Sequence, residues 1–239
     1  MKIIIIAGGL GTRLSEETDD KPKPMVLING KPILWHLMNI FSLQGYNEFI
    51  ISTGYKSHVI EEWVNKNIIV DSNSEKMNIS IIDTGLTTQT GGRISEVMKT
   101  LPRERVIATY GDGLANISVK KLLNFHTRHG KLATVTAVRP PARFGYMKIN
   151  GNMVTHFGEK NQLDEGWING GFFVLEPQVC DYVQSLEEPF ESGALVRLVD
   201  KSNLIAYQHE GFWQPMDTLR EKRELEKLAG LTLPPWLNF

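Results

Sequence analysis

The first apolar run of the chain is followed directly by a glycine-rich segment with one arginine, Gly8-Gly9-Leu10-Gly11-Thr12-Arg13. Glycines allow backbone amides to approach a phosphate chain closely, and an arginine adds a forked positive charge. The segment therefore predicts a binding site for a nucleoside triphosphate. A simple tight turn is the alternative interpretation.

Two better-known glycine-rich motifs do not fit this segment. A P-loop requires Gly-Lys-Ser/Thr after four intervening residues, and the segment lacks it. The dinucleotide-binding pattern would need a glycine at Leu14 and an acidic residue near the end of the second strand, but residues 49–54 contain no carboxylate. Binding of NAD is therefore disfavoured.

A second basic segment, Lys21-Pro22-Lys23-Pro24, places each lysine before a proline. Proline disfavours the helical region for the preceding residue, so both lysines are expected to be extended. Extended residues two apart point the same way, which should put both ammonium groups on one face, where they could stabilise a reacting phosphate. A solvated basic turn is the alternative.

The elements that must position these residues alternate along the first 138 residues. Short apolar runs rich in β-branched residues are each followed by a segment with helical spacing, which predicts βαβ units and a mostly parallel sheet. We expect strands at residues 3–7, 49–53, 79–83, 106–110 and 133–138. The fold class is therefore α/β, with a Rossmann-like sheet flanked by helices.

The pattern changes after residue 138 and predicts a small antiparallel β-rich region. Expected there are a hairpin of residues 146–149 and 154–157, a strand at 167–175 and a helix opened by Pro177. The last helix should begin near Thr218, which can form a capping box with Glu221. The apolar tail, residues 233–239, is expected to dock on the protein.

Composition excludes several classes of function. Lys plus Arg (26) nearly balance Asp plus Glu (27), so no overall charge favours nucleic acid or an anionic membrane. Cys180 is the single cysteine, which excludes an intramolecular disulfide and fits a reducing, cytoplasmic location. The sequence contains no apolar window of about 20 residues, which is the length needed to span a membrane.

In order along the chain, the motifs resemble the sugar-phosphate nucleotidyltransferase family, and within it the cytidylyltransferases that act on glucose 1-phosphate. The likeness runs almost end to end and is carried by the glycine segment with Ser15-Glu16-Glu17-Thr18, Lys21-Pro22-Lys23-Pro24-Met25, Lys31-Pro32-Ile33-Leu34-Trp35-His36, Asp83-Thr84-Gly85, Thr90-Gly91-Gly92-Arg93, Tyr110-Gly111-Asp112-Gly113, Glu159-Lys160, residues 168–174 and residues 211–220. The resemblance implies a GT-A-like nucleotidyltransferase fold in one domain, residues 1–239. Residues 1–138 would bind the nucleotide, and residues 139–239 would bind the acceptor and make oligomer contacts.

The resemblance also implies roles for individual residues. Arg13, Lys23 and Asp112 would be catalytic, with Arg13 at the leaving pyrophosphate and Lys23 at the reacting α-phosphate. The nucleotide-binding residues would be Ala7, Gly8, Gly9, Leu10, Gly11, Thr12, Arg13, Lys23, Thr88, Arg93 and Gly111. The acceptor-binding residues would be Tyr110, Gly145, Glu159, Lys160, Asn169 and Gly170, with Lys160 at the acceptor phosphate and both Glu159 and Asn169 at sugar hydroxyls.

A magnesium site is implied at Asp112 and Asp217. Asp112 follows an apolar strand and should lie at its carboxyl end, where open α/β sheets bind ligands. Asp217 precedes the last predicted helix, and a helix N-cap is its competing interpretation. Two aspartates are enough, because Mg²⁺ prefers few carboxylates together with phosphate oxygens and waters.

The implied reaction is attack of the acceptor's phosphate oxygen on the α-phosphorus of CTP, which gives a CDP-linked product and pyrophosphate. UTP or dTTP as donor, and a phosphate other than glucose 1-phosphate as acceptor, remain alternatives, and a homo-oligomer is expected. A glycosyltransferase of similar topology would normally show Asp-x-Asp where this chain has Asp112-Gly113-Leu114. A binding module without turnover is disfavoured because the cations and aspartates occur together.

Departures from the family concern mainly the acceptor end. The segment between Asn65 and Asn78 is shorter, Gly193 stands where the family has a carboxylate, and Tyr146-Met147-Lys148 replaces smaller residues. A lost hydrogen-bonding carboxylate can change substrate preference by orders of magnitude. The acceptor could therefore differ from glucose 1-phosphate.

Overall fold

The computed structural model describes residues 1–67, 77–140, 145–159 and 166–239. The strands are, in chain order, β1 (Lys2–Ile6), β2 (Leu27–Ile28), β3 (Lys31–Pro32), β4 (Glu48–Thr53), β5 (Asn78–Asp83), β6 (Val106–Tyr110), β7 (Gly113–Ala115), β8 (Ala133–Val138), β9 (Gly145–Asn150), β10 (Met153–Glu159), β11 (Ile168–Leu175), β12 (Leu204–His209) and β13 (Trp213–Pro215). The α-helices are α1 (Ser15–Thr18), α2 (Ile33–Ser42), α3 (Ser57–Asn67), α4 (Thr90–Lys99), α5 (Val119–His129), α6 (Ala194–Asp200) and α7 (Leu219–Ala229).

The apolar runs of the first half form the expected mostly parallel sheet. Within the described residues it has seven strands in the order β12-β8-β11-β6-β1-β4-β5. The strand β1 is parallel to both β4 and β6, and β5 extends the sheet in parallel beyond β4. The predicted α/β fold is confirmed.

Strand β11 departs from the expected arrangement. The sequence placed it in a separate antiparallel region, but it lies inside the main sheet between β6 and β8 and is antiparallel to both. Because it runs in the opposite direction, its first residues lie at the same edge of the sheet as the carboxyl ends of β1 and β6. The hairpin β9–β10 forms a separate two-stranded sheet, as predicted.

Two apolar cores cover the two faces of the sheet. Successive side chains of a strand point to opposite faces, so Ile3 and Ile5 join one core while Ile4 and Ile6 join the other. The first core includes residues of α2, α5 and α7, and the second includes residues of α4 and α6. The sheet is thereby covered on both faces, as expected of a parallel sheet.

The end of the chain docks on the first core. Helix α7 opens with the predicted capping box, in which Thr218 accepts from the amide of Glu221 and the Glu221 carboxylate accepts from the amide of Thr218. Beyond it, Trp236 is fully buried, with its ring 5.7 Å from that of His36 and 6.0 Å from that of Phe212. In the described part of the chain, no helix is both long and apolar enough to cross a bilayer.

The structure refines one local expectation and contradicts another. The helix opened by Pro177 is present, and it is a 3-10 helix, Pro177–Tyr182. His126 and His129 lie one turn apart on α5, a spacing that could serve a metal ion but that, without a third ligand in the sequence, favours a solvent-exposed helix face. Instead His126 is buried, and both imidazoles contact the hydroxyl of Thr134, at 2.8 and 2.7 Å.

The burial of His126 should make stability depend on pH. Burial lowers the pKa of His126, although its contact with Glu176 at 3.1 Å partly opposes this effect. The unfolded chain therefore takes up the proton more readily than the folded one, so this histidine contributes stability at pH 7 that is lost as the pH falls below about 6.5. His126→Gln should make the fall in unfolding free energy between about pH 7 and pH 5 shallower, as measured by urea denaturation.

Exposed His58 supplies the matched control, and His58→Gln should leave the pH dependence as in the wild type. An unchanged slope in His126→Gln would contradict the interpretation.

Candidate active site

Two loops meet at the carboxyl edge of the sheet because β1 and β6 are parallel neighbours. Their last residues, Ile6 and Tyr110, stand in register, and the amide of Gly111 donates to the carbonyl of Ile6 at 3.0 Å. The glycine segment that follows β1 therefore lies beside the Asp112 segment that follows β6. This is the edge at which open α/β sheets bind ligands.

Close contacts with Arg93 and Thr18 determine the conformation of the glycine segment. A Cβ atom on Gly8 would lie 2.1 Å from a terminal nitrogen of Arg93, so only glycine fits there. Gly11 has a φ of 66°, in the left-handed region that favours glycine. The hydroxyl of Thr18 contacts the carbonyl oxygens of Gly11 at 3.2 Å and Leu14 at 3.0 Å, which closes the loop.

Arg93 holds three segments together beneath this loop. It is 2% exposed, and its guanidinium donates to the carbonyls of Thr53 at 2.6 Å and Gly8 at 3.0 Å and to the hydroxyl of Thr84 at 2.7 Å. Burial lowers the pKa of Arg93, and nearby Asp83 opposes that shift. The sequence predicted Arg93 to be near the nucleotide, and these contacts place it directly under the predicted nucleotide loop.

An ammonium group between two carboxylates lies at the centre of the site. Lys23 Nζ is 2.7 Å from Asp112 Oδ2 and 2.5 Å from Asp217 Oδ1. Burial works against the charge of the Lys23 side chain, but the two aspartates outweigh it, so the pKa of Lys23 is raised above its ordinary value. The Lys23 side chain is therefore charged at neutral pH.

Two short strands bring the aspartates together from positions far apart in the chain. Strand β7, which begins just after Asp112, pairs with β13, which ends two residues before Asp217. The amide of Met216 also donates to the carbonyl of Asp112 at 2.8 Å. Asp217 is not the helix N-cap, since Thr218 takes that position.

One cation can contact both aspartates, because the Lys23 ammonium already does so. The described residues contain no cluster of three or more His, Cys, Asp or Glu side chains that could hold a metal. A cation at Asp112 and Asp217 would thus have only two protein carboxylates and would need oxygens from a ligand or water. This donor set fits a hard divalent ion such as Mg²⁺.

The expected extended conformation was wrong for Lys23. Pro22 is extended, but Lys23 begins a 3-10 helix, Lys23–Met25, despite the following proline. Lys21 is 3.6 Å from Asp20 and is not among the residues lining the cleft, whereas Lys23 is. Tertiary contacts with the two aspartates outweigh the local preference, so the segment supplies one ammonium group to the cleft.

The other end of the site is built around Tyr110. Asn169 Nδ2 is 3.2 Å from the Tyr110 hydroxyl, which donates to Glu191 Oε1. Burial, together with the carboxylate of Glu191, raises the pKa of Tyr110, so it stays a neutral hydrogen-bond donor. Nearby, the indole of Trp213 donates to the carbonyl of Gly170 at 2.8 Å. The reversed direction of β11 is what brings Asn169 and Gly170 to this edge.

A cleft of about 840 Å³ contains most of the predicted site residues. It is lined by Ala7, Gly8, Gly9, Leu10, Gly11, Thr12, Lys23, Thr88, Arg93, Tyr110, Gly111, Asp112, Asn169, Gly170 and Asp217. Lys160 and the side chains of Arg13 and Glu159 lie outside the described residues, and Gly145 is described only as the first residue of β9.

Sequence reasoning missed several cleft residues, among them Thr90, Glu191 and Trp213. Thr90 and Glu191 are 101 residues apart, yet the Thr90 hydroxyl donates to Glu191 Oε2 at 2.8 Å. No spacing pattern could have shown this contact. Trp213 lies within residues 211–220, one of the motifs that carry the family resemblance, and this motif could have indicated that Trp213 belongs to the site.

Comparison with known protein families matches residues 2–218 to the family described as nucleotidyl transferase. The chain belongs to the nucleotidyl transferase family. A curated relative of this nucleotidyl transferase, glucose-1-phosphate cytidylyltransferase of Salmonella typhimurium, is 45% identical over 256 aligned positions that cover 100% of both chains. The D-glycero-alpha-D-manno-heptose 1-phosphate guanylyltransferase of Aneurinibacillus thermoaerophilus is 32% identical, with 80% of each chain covered.

A solved structure agrees with the fold of this nucleotidyl transferase. HddC from Yersinia pseudotuberculosis, in complex with GMP-PN, matches it with a TM-score of 0.73 at 25% identity, covering 95% of this chain and 98% of that one. The family and the enzyme class predicted from the sequence motifs are confirmed.

The role of Arg93 as an anchor can be tested through stability. Arg93→Met would remove three buried hydrogen bonds that the guanidinium donates, so the free energy of unfolding should fall by about 3 kcal/mol, measured by urea denaturation. Arg223→Met, at an exposed position of α7, is the control and should cost less than about 0.5 kcal/mol. Equal small losses in the two variants would show that Arg93 does not anchor the loop.

Proposed function

We propose that this nucleotidyl transferase joins CTP to a sugar 1-phosphate, with glucose 1-phosphate as the first candidate, to give a CDP-sugar and pyrophosphate. The observation that carries this proposal is the full-length identity of 45% to a glucose-1-phosphate cytidylyltransferase. The cleft supports it chemically, because it gathers a glycine loop, a buried ammonium and two carboxylates at one edge of the sheet.

The reaction is an in-line displacement. An oxygen of the acceptor phosphate forms a bond to the α-phosphorus of CTP, while the bond from that phosphorus to the bridging oxygen of the β-phosphate breaks and pyrophosphate leaves. No protein nucleophile is needed, so catalysis consists of positioning and charge neutralisation. The amides of the glycine loop and Lys23 face the nucleotide phosphates, with Arg13 at the leaving pyrophosphate and Lys160 at the acceptor phosphate.

Asp112 and Asp217 would hold the divalent metal that enzymes of this family generally use. We infer Mg²⁺, because it binds through one or two carboxylates and takes its remaining ligands from phosphates and water. When bound, the ion neutralises phosphate charge. The nucleotide-binding role of residues 1–138, the acceptor role of residues 139–239, the homo-oligomeric state and the cytoplasmic location stay predictions.

The direct test is a matrix of nucleoside triphosphates against phosphorylated acceptors, scored by pyrophosphate release. CTP with glucose 1-phosphate should give the highest kcat/KM. A higher value for UTP or dTTP with every acceptor would refute the choice of base and leave the chemistry intact. If no combination of nucleoside triphosphate and acceptor releases pyrophosphate, the proposed function is refuted.

The metal assignment can be tested at Asp112. Asp112→Ala removes a preorganised charged group at the reacting phosphate, so kcat should fall by more than about a hundredfold. Asp200→Ala, which removes an exposed carboxylate at the end of α6, is the control and should retain activity. Near-normal pyrophosphate release by Asp112→Ala in excess Mg²⁺ would overturn the assignment.

Lys23 and a metal ion should compete for the same two carboxylates in the ligand-free protein. Removal of the ammonium in Lys23→Met should therefore raise the affinity for Mn²⁺ by about tenfold, measured from the electron paramagnetic resonance signal of free Mn²⁺. Lys21→Met is the control and should bind Mn²⁺ as the wild type does. Unchanged Mn²⁺ affinity in Lys23→Met would exclude competition, even if its turnover is lost.

A further inference from the structure

Glu191 places a carboxylate in the wall of the cleft, and no role has been assigned to it so far. Its side chain accepts hydrogen bonds from two neutral hydroxyl groups, the Tyr110 hydroxyl at Oε1 and the Thr90 hydroxyl at Oε2. Thr90 is fixed in turn, since its hydroxyl accepts from the amide of Phe190 at 2.8 Å. The carboxylate is therefore held in one position by strand β6 and the start of helix α4.

The Glu191 carboxylate can accept further hydrogen bonds in addition to those from Tyr110 and Thr90. Each carboxylate oxygen has two lone-pair sites, and each oxygen uses one of them on its hydroxyl partner. The Tyr110 hydroxyl already uses its one proton on Glu191 and also accepts from Asn169 at 3.2 Å, so it cannot donate to a ligand as well. Glu191 is the charged acceptor of these contacts, and each of its oxygens keeps one lone-pair site for a proton donor in the cleft.

The charge of Glu191 restricts what that donor can be. Among the described residues, Glu191 makes no ion pair, whereas nearby Glu188 is paired with Arg197. A fixed negative charge beside a bound phosphate would be repulsive, so the carboxylate must face a part of the substrates that carries no phosphate. Asn169, which the resemblance assigns to the acceptor's hydroxyl groups, contacts Tyr110 at this end of the cleft, so under the proposed function that part is the carbon skeleton of the acceptor.

We propose that the Glu191 carboxylate accepts a hydrogen bond from a hydroxyl group on the acceptor's carbon skeleton, and so selects polyhydroxylated phosphate esters over those that lack this hydroxyl. The inference rests on the proposed function and names the class of acceptor that this wall of the cleft fits. Glu191 is then a specificity-determining residue, which contributes to binding of the acceptor and not to binding of CTP.

The test is Glu191→Gln, assayed with saturating CTP against glucose 1-phosphate and its 2-, 3-, 4- and 6-deoxy analogues. Glutamine keeps the shape of the side chain, and its amide oxygen can still accept from one of the two hydroxyls, while its NH2 group can only donate to the other. A hydrogen bond from the substrate to this side chain is then no longer charge-assisted. The variant should lose about 10- to 100-fold in kcat/KM for glucose 1-phosphate, with the KM for CTP unchanged. For one deoxy analogue, wild type and variant should be equal within about twofold, because the contact is already absent.

Glu187→Gln, on the same loop at an exposed position outside the cleft, is the control and should behave as the wild type. If Glu191→Gln folds poorly, Tyr110→Phe provides the second variant, since it removes the donor that positions the carboxylate. In Tyr110→Phe, the ratio of kcat/KM for glucose 1-phosphate to kcat/KM for the same deoxy analogue should be smaller than in the wild type.

Two results would overturn the inference in different ways. If Glu191→Gln loses the same factor in kcat/KM for glucose 1-phosphate and for all four deoxy analogues, Glu191 supports the cleft wall without a hydrogen bond to a hydroxyl of the acceptor. Failure of the wild-type enzyme to release pyrophosphate from CTP with any of these sugar phosphates would refute the proposed function, and this inference with it.

Discussion

The contact of one ammonium group with two carboxylates connects three segments that are far apart in the chain. Lys23 comes from a short 3-10 helix after the glycine loop, Asp112 follows β6, and Asp217 precedes α7. Burial of an ammonium is unfavourable unless it is paired, and the two aspartates beside Lys23 outweigh that cost, so its pKa is raised. The same requirement keeps the two carboxylates close together, in the arrangement that a divalent ion can use.

The rest of the fold can be understood as support for that contact. Parallel pairing of β1 with β6 aligns the glycine loop with Asp112, and pairing of β7 with β13 places Asp217 beside it. Arg93 fixes the loop from below through the carbonyl of Gly8. Apolar cores on both faces of the sheet hold the strands in place, so the segments that carry the site start from fixed positions at its edge.

Charge is distributed unevenly along the cleft. At the end proposed to bind the phosphates, Lys23 is paired with two carboxylates, so the positive potential that two mutually repelling substrates need would come from the amides of the glycine loop and from a divalent ion at Asp112 and Asp217. At the other end, Tyr110, Asn169 and Glu191 form a hydrogen-bonded wall that carries one negative charge and no paired cation among the described residues. In the proposed reaction, this difference between the two ends would orient an acceptor that has a phosphate at one end and hydroxyl groups at the other.

Local patterns in the sequence determined the strands β1, β4, β5 and β6, the capping box of Thr218 and the glycine loop, because alternation, capping and backbone freedom act between residues close in the chain. The resemblance of the motifs, in their order along the chain, predicted the family and many of the residues that line the cleft. Only the tertiary structure decided that β11 enters the main sheet, that Lys23 is helical and that Glu191 contacts Thr90 and Tyr110. These features depend on contacts between residues tens of positions apart, where burial and pairing outweigh local preference, and such contacts leave no periodic trace in one sequence.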